Sequence, residues 1–194
     1  MRPFCAVFLL AIPAAAAAQG RPAAIRPRAG LVITRSMRLV PGSYRLPAPG
    51  SPDSALITIR GDDLEVDFTG VVLDGALPGA EADGGAGTAV LVDGGRNVVI
   101  RGARIRGYKV GILARGTTGL TLTNNDLSHN WKPRLFSLVE HESLADWLSF
   151  HHNENGEWRR FGAGIYLDRV TGGALRGNTV RQGMNGLLMN RSER

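Results

Sequence analysis

The sequence predicts an all-β solenoid, built from short strands that stack coil upon coil. Three observations predict it. A pattern of 22 residues recurs: residues 87–108 read GTAVLVDGGRNVVIRGARIRGY, residues 109–130 read KVGILARGTTGLTLTNNDLSHN, and residues 162–183 read GAGIYLDRVTGGALRGNTVRQG after a 31-residue insertion at 131–161. Superposed copies set apolar residues in columns: Val90, Ile112, Ile165 and Leu187; Val92, Ala114, Leu167 and Met189; Ile100, Leu122 and Leu175; Ile105, Leu127 and Val180. Within each copy these positions are expected to alternate with polar ones, the two-residue period of a strand. Strands at such a fixed period mark a solenoid, in which each unit buries its face only against its neighbours.

Taken in order, residues 1–18 read as a secretory signal peptide. Arg2 gives a short basic start, the apolar run is too short for a mature membrane span, and the alanines of 14–18 place the cut before Gln19. The sole cysteine, Cys5, leaves with that segment, so disulfides, thiol catalysis and thiolate metal sites are not expected. Residues 19–30, rich in Pro, Ala and Arg, read as a flexible linker. The β-solenoid domain is expected over 31–194. It opens with two short strands around the Pro41–Gly42 turn and an irregular coil over 55–73, where Ile57, Ile59, Leu64, Val66, Val71 and Leu73 match the later columns. Residues 75–87 read as a flexible polar loop. A fourth copy opens at Met184 and breaks off, which is expected to mark the N-terminal part of a longer protein, its C-terminal coils lying beyond. Asn125 and Asn178 share one coil position, where asparagine tolerates a left-handed backbone and can bond along the stack.

The phrases GDDLEVDFTGVVLDG, GILARGTTGLTLTNNDLSHN and GIYLDRVTGGALRGNTV resemble the right-handed parallel β-helix superfamily. Its members include pectate-lyase-like carbohydrate enzymes, alginate epimerases and NosD-like periplasmic proteins built of PbH1 repeats. The resemblance covers residues 31–194 apart from the insertion. It implies a right-handed parallel β-helix, and a carbohydrate-directed activity that the fold alone does not fix. Neither a DPH-type epimerase motif nor the HG and RxK pair of polygalacturonases is present. The pair Asp62-Asp63 after Gly61 reads as a turn leading into a strand.

The insertion breaks the pattern and carries all three tryptophans and three of the four histidines. Ser137 with Glu140 has capping-box spacing, and Leu144, Trp147 and Leu148 give a helical stripe, so a helix is predicted over 138–150. Such a helix plugs an apolar flank of the solenoid, lies over it as a lid facing substrate, or presents a protein-contact surface. His141, His151 and His152 do not predict a metal site. On a helix His141 and His152 stand about 16 Å apart, HExxH is absent, and no cofactor is expected. For proton transfer the candidates are His129 and His151, with Asp126 beside His129; an imidazole titrates near neutral pH. Lys132 and Arg134 can hold a sugar carboxylate, and Trp131 and Trp158 can stack on sugar rings. Abstracting a proton beside a carboxylate needs this combination of base and cation.

The net charge is +6, carried by arginines that are scattered along the sequence; only Lys109 and Lys132 are lysines. Such a balance attracts acidic polymers, although no nucleic-acid partner is expected and no later run is apolar enough to cross a membrane. Together with the signal-like start, the resemblance implies a periplasmic or extracellular β-helix protein that binds an acidic polysaccharide. It either processes that polymer by lyase, epimerase or hydrolase chemistry or serves as a non-catalytic scaffold.

Overall fold

The columns of the repeat are ladders of parallel strands. Ile112 pairs with Val90 on one side and Ile165 on the other, Ile165 pairs with Leu187, and Leu122 lies between Ile100 and Leu175. The computed structural model describes residues 24–49, 54–147 and 161–193. After β1 (Ala24–Ile25) the first coil comprises β2 (Leu31–Ile33), β3 (Met37–Leu39) and β4 (Gly42–Arg45). The second comprises β5 (Ala55–Ile59), β6 (Glu65–Asp67) and β7 (Val71–Asp74), and the third β8 (Ala86–Asp93), β9 (Val99–Arg101) and β10 (Arg104–Arg106). Two coils follow, β11 (Tyr108–Arg115) with β12 (Thr118–Thr123) and β13 (Ala163–Asp168) with β14 (Thr171–Arg176), before β15 (Leu187–Asn190) opens another.

Corresponding strands form three parallel sheets that enclose one core. The first sheet stacks β2, β5, β8, β11, β13 and β15; the second stacks β1, β3, β6, β9, β12 and β14; the third stacks β4, β7 and β10. Single bridges extend the third sheet from Arg104 to Asp126 and on to Thr179. Ile57, Val90 and Ile112 meet Val66, Ile100 and Leu122 and then Leu73, Ile105 and Leu127 in the interior, all buried. Each such side chain contributes roughly 1.5–3 kcal/mol of burial energy.

Asparagines satisfy the buried backbone at the bend between the second and third sheets. Asn125 accepts a hydrogen bond from the N–H of Ala103 at 2.9 Å and donates to the Ile100 carbonyl and to Asn178 Oδ1. Asn178 in turn donates to the Leu122 carbonyl at 2.8 Å. The two residues form the ladder that their shared position predicts, but the left-handed backbone expected at them falls one residue earlier, at Asn124 and Gly177, with φ of 54° and 62°.

Arginine and aspartate alternate along the outside. Arg60 and Arg115 both bond Asp93, at 2.8 and 3.0 Å; Arg38 and Arg101 both face Asp67; and Arg106 bonds Asp74, whose other register neighbour is Arg45. Arginines scattered in the sequence are thus brought opposite carboxylates by the coil period. The paired aspartates following Gly61 have the same use: Asp62 accepts from Arg96, and Asp63 accepts from Asn97 at 2.8 Å.

Four expectations need correction. Ala24–Ile25, placed in a flexible linker, form a strand, because Ile25 packs against the core and its carbonyl accepts the N–H of Val40. Residues 31–46 make three strands and a full coil rather than two strands about a turn: β4 runs parallel to β7, and Gly42 N–H donates to Gly70. Strands of the first sheet do not alternate apolar with polar. Leu91, Leu113 and Tyr166 face away from the core in neighbouring strands and are nevertheless buried, in a second apolar cluster with Val110 and Ala163.

Finally, residues 138–143 are not helical. Ser137 Oγ accepts the N–H of Ser143, and the Asp146 carboxylate accepts those of Phe136 and Ser137. These local bonds compete with helix formation, which over the described residues 137–147 amounts to one 3₁₀ turn at Leu144–Trp147. Leu138 and Leu144, expected to plug a flank, are 68% and 82% exposed. Residues 148–150 of the predicted helix lie outside the described residues.

Candidate functional site

The corner where the third sheet returns to the first is a column of left-handed residues. Gly107, His129 and Gln182 occupy it in successive coils, with φ of 76°, 59° and 55°. The N–H of Gly107 donates to the His129 carbonyl, and that of His129 donates to Arg181. At Gly107 a side chain is excluded, since a Cβ there would lie 2.5 Å from the N of Ala76. Histidine is among the residues that enter this conformation most readily, and the coil backbone therefore fixes where the imidazole starts.

The next residues lead from the coil into the insertion. Asn130 is buried and bonds Tyr108, Ile105 and Leu127. Trp131 keeps to the coil through its N–H to the Tyr108 carbonyl, while its own carbonyl accepts from Met184. Its indole N–H donates to the Asp83 carbonyl at 2.8 Å, and the Lys109 ammonium lies 4.1 Å from its ring centre. Burial holds the Lys109 ammonium below the usual lysine pKa. One residue on, the N–H of Lys132 donates to Ala82, and Arg134 pairs loosely with Asp83 at 3.6 Å. Residues 76–85 are thereby fastened beside the start of the insertion.

Two adjoining cavities lie between these segments. The larger, about 530 Å³, is lined by Glu81, Asp83, Lys132, Arg134, Leu135 and Met184, among others. The smaller, about 340 Å³, has His129, Trp131 and Gln182 on its wall. Glu81, Ala82 and Lys132 border both. Among the described residues Lys132 makes no ion pair, whereas Arg134 is engaged by Asp83.

The structure therefore gathers His129, Trp131, Lys132 and Arg134 from the sequence-predicted set. Asp126 is not among the lining residues: it is exposed in the third sheet, where its carboxylate accepts the N–H of Ser128. His151 and Trp158 lie outside the described residues. Glu81, Asp83, Gln182 and Met184 were not singled out. Gln182 was accessible by register, one coil beyond His129. The loop at 76–85 was accessible too, because it leaves the solenoid at the same corner as the insertion. Among the described residues no group of three or more His, Cys, Asp or Glu could hold a metal ion, and no helix is long and apolar enough to cross a membrane.

The sequence profile of the family described as right-handed β-helix region matches residues 79–194, more than half of the chain, and the chain belongs to that family. The stacked coils begin well before the matched residues, at β1. Comparison with the curated proteins and with the solved structures returns no match.

Proposed function

We propose that this chain is an exported β-helix protein, periplasmic or extracellular, that binds an acidic polysaccharide between the loop at 76–85 and the start of the insertion. One observation carries the reading: Lys132, without an ion-pair partner among the described residues, stands on the wall common to two adjoining cavities. Those cavities have the size of small-ligand sites, which are typically apolar with a few convergent polar groups. An unpaired ammonium there favours an anionic ligand, while Leu135 and Met184 offer apolar contact to ring faces. The signal-like segment at 1–18 supports export.

A second reading, turnover of the polymer by lyase or epimerase chemistry, is favoured by His129 sharing the smaller cavity with Lys132. A base and a cation are the minimum for abstracting a proton beside a carboxylate. Against it, Asp126 is not among the residues lining the cavity that holds His129, and its Oδ1 accepts the Ser128 N–H. Binding alone, as in a scaffold of the NosD-like kind, therefore takes precedence. Calorimetric titration with polyuronates and neutral polysaccharides tests this reading; binding to none of them overturns it. Unsaturated-product absorbance and reducing ends, measured for the wild type and His129→Ala, decide whether turnover accompanies binding.

A further inference from the structure

We infer that the two cavities are halves of one site for an oligouronate of at least two sugar units, with Lys132 as its specificity-determining cation and Glu81 as the hydroxyl acceptor at the joint. This rests on the polysaccharide reading above and narrows it. Both residues border both cavities, so a chain running from one compartment to the other passes beside them. The N–H of Lys132 donates to the Ala82 carbonyl at 3.2 Å, which joins the two segments at that point. Arg134 is drawn off by Asp83, leaving the ammonium of Lys132 to take the sugar carboxylate. Glu81, likewise without an ion pair among the described residues, is an acceptor suited to the hydroxyls of the same sugar. A uronate offers both groups on one ring; a neutral sugar offers only the second. The smaller compartment adds His129 and Gln182 from two successive coils, and the larger adds Leu135 and Met184. The smaller compartment thus adds polar groups from the coils, and the larger adds apolar contact beside its charged residues.

The composition supplies a direct probe. Lys109 and Lys132 are the only lysines in the sequence, whereas the surface ladders use arginine throughout. Acylation by an amine-reactive ester, read by peptide mass spectrometry on the full chain, therefore reports on this site. Galacturonate monomer, dimer and trimer, and their methyl esters, serve as ligands. The dimer and trimer should slow Lys132 acylation about tenfold, as expected for a hydrogen-bonded charge pair, and the monomer and the esters should not. Lys132→Ala should reduce affinity for the free acids to that for the esters, and Lys132→Arg should restore part of it. Glu81→Gln should weaken both kinds of ligand; tighter binding of the acids would overturn its role as hydroxyl acceptor. If polyuronate binds but Lys132 reacts at an unchanged rate, the two-compartment assignment fails and the binding reading survives. If no polysaccharide binds, both fail together.

Discussion

Trp131 holds Asp83 across two coil intervals, its indole N–H donating to the Asp83 carbonyl at 2.8 Å. Replacing Trp131 with Phe keeps an aromatic face for the Lys109 ammonium and deletes the donor. The expected loss is about 1 kcal/mol, concentrated in the loop. Hydrogen exchange at residues 80–85 should quicken while strand amides in the third and fourth coils keep their protection. Unchanged exchange in the loop would show that the indole contact does not hold it.

Asn125 and Asn178 should differ when each is replaced by Ala. Asn125 is fully enclosed and serves the coils on either side, so its loss leaves the Ala103 N–H without a partner and strips the Ile100 carbonyl of its side-chain donor. Each unsatisfied buried group costs about 1–3 kcal/mol. Asn178 is only half-buried, and its substitution should cost less. Equal urea midpoints for the two variants would contradict this ranking.

Acid should weaken the fold through Asp67 and Asp93. Partial burial opposes their ionisation, but it is outweighed by hydrogen bonds from Thr69 to Asp67 and from Arg60 and Arg115 to Asp93, and by the arginine charges. Both carboxyls therefore lie below their usual pKa of 3.8. A lowered folded-state pKa stabilises fully above the unfolded value, near 3.9, and is lost as the pH drops through the folded value. Stability should decline below about pH 4, and Asp93→Asn should flatten that decline while costing about 1 kcal/mol at neutral pH. Thermal melts from pH 2 to 7 would reveal whether the two curves converge in acid.

Ile112 occupies the middle of an interior column, between Val90 and Ile165. Ile112→Asp buries a carboxylate with no partner and should cost several kcal/mol. A variant that melted like the wild type would break the register on which every other assignment depends.

Register was legible because it is one-dimensional. Once the 22-residue offset aligned Val90 with Ile112, every later ladder followed, including Asn125 with Asn178. What lay outside the offset was harder to read. The continuous apolar runs AVLV and GIYL belong to strands covered on both sides, a pattern typical of buried parallel sheets, whereas alternation alone predicts one wet face. The helix predicted from Ser137 and Glu140 failed because Ser137 and Asp146 spend their oxygen atoms on the N–H groups of Ser143, Phe136 and Ser137. Half of the site wall, Glu81 to Asp83, looked like an ordinary polar loop; its role depends on Trp131, whose indole reach no period encodes.

The alternating charges on the outside also constrain the order in which the chain can wind. Coils of nearly identical length and pattern can stack one repeat out of step, looping a turn out and still filling the apolar columns. Along the first sheet, however, the signs run Arg60, Asp93, Arg115, Asp168. Omitting a single turn would set Arg60 beside Arg115, or Asp93 beside Asp168, and like charges directly opposed are destabilising. The second sheet penalises omission of the second coil, since Arg38 would then meet Arg101. Sign parity thus acts as a checksum on the winding, distinguishing repeats that hydrophobic packing alone treats as interchangeable.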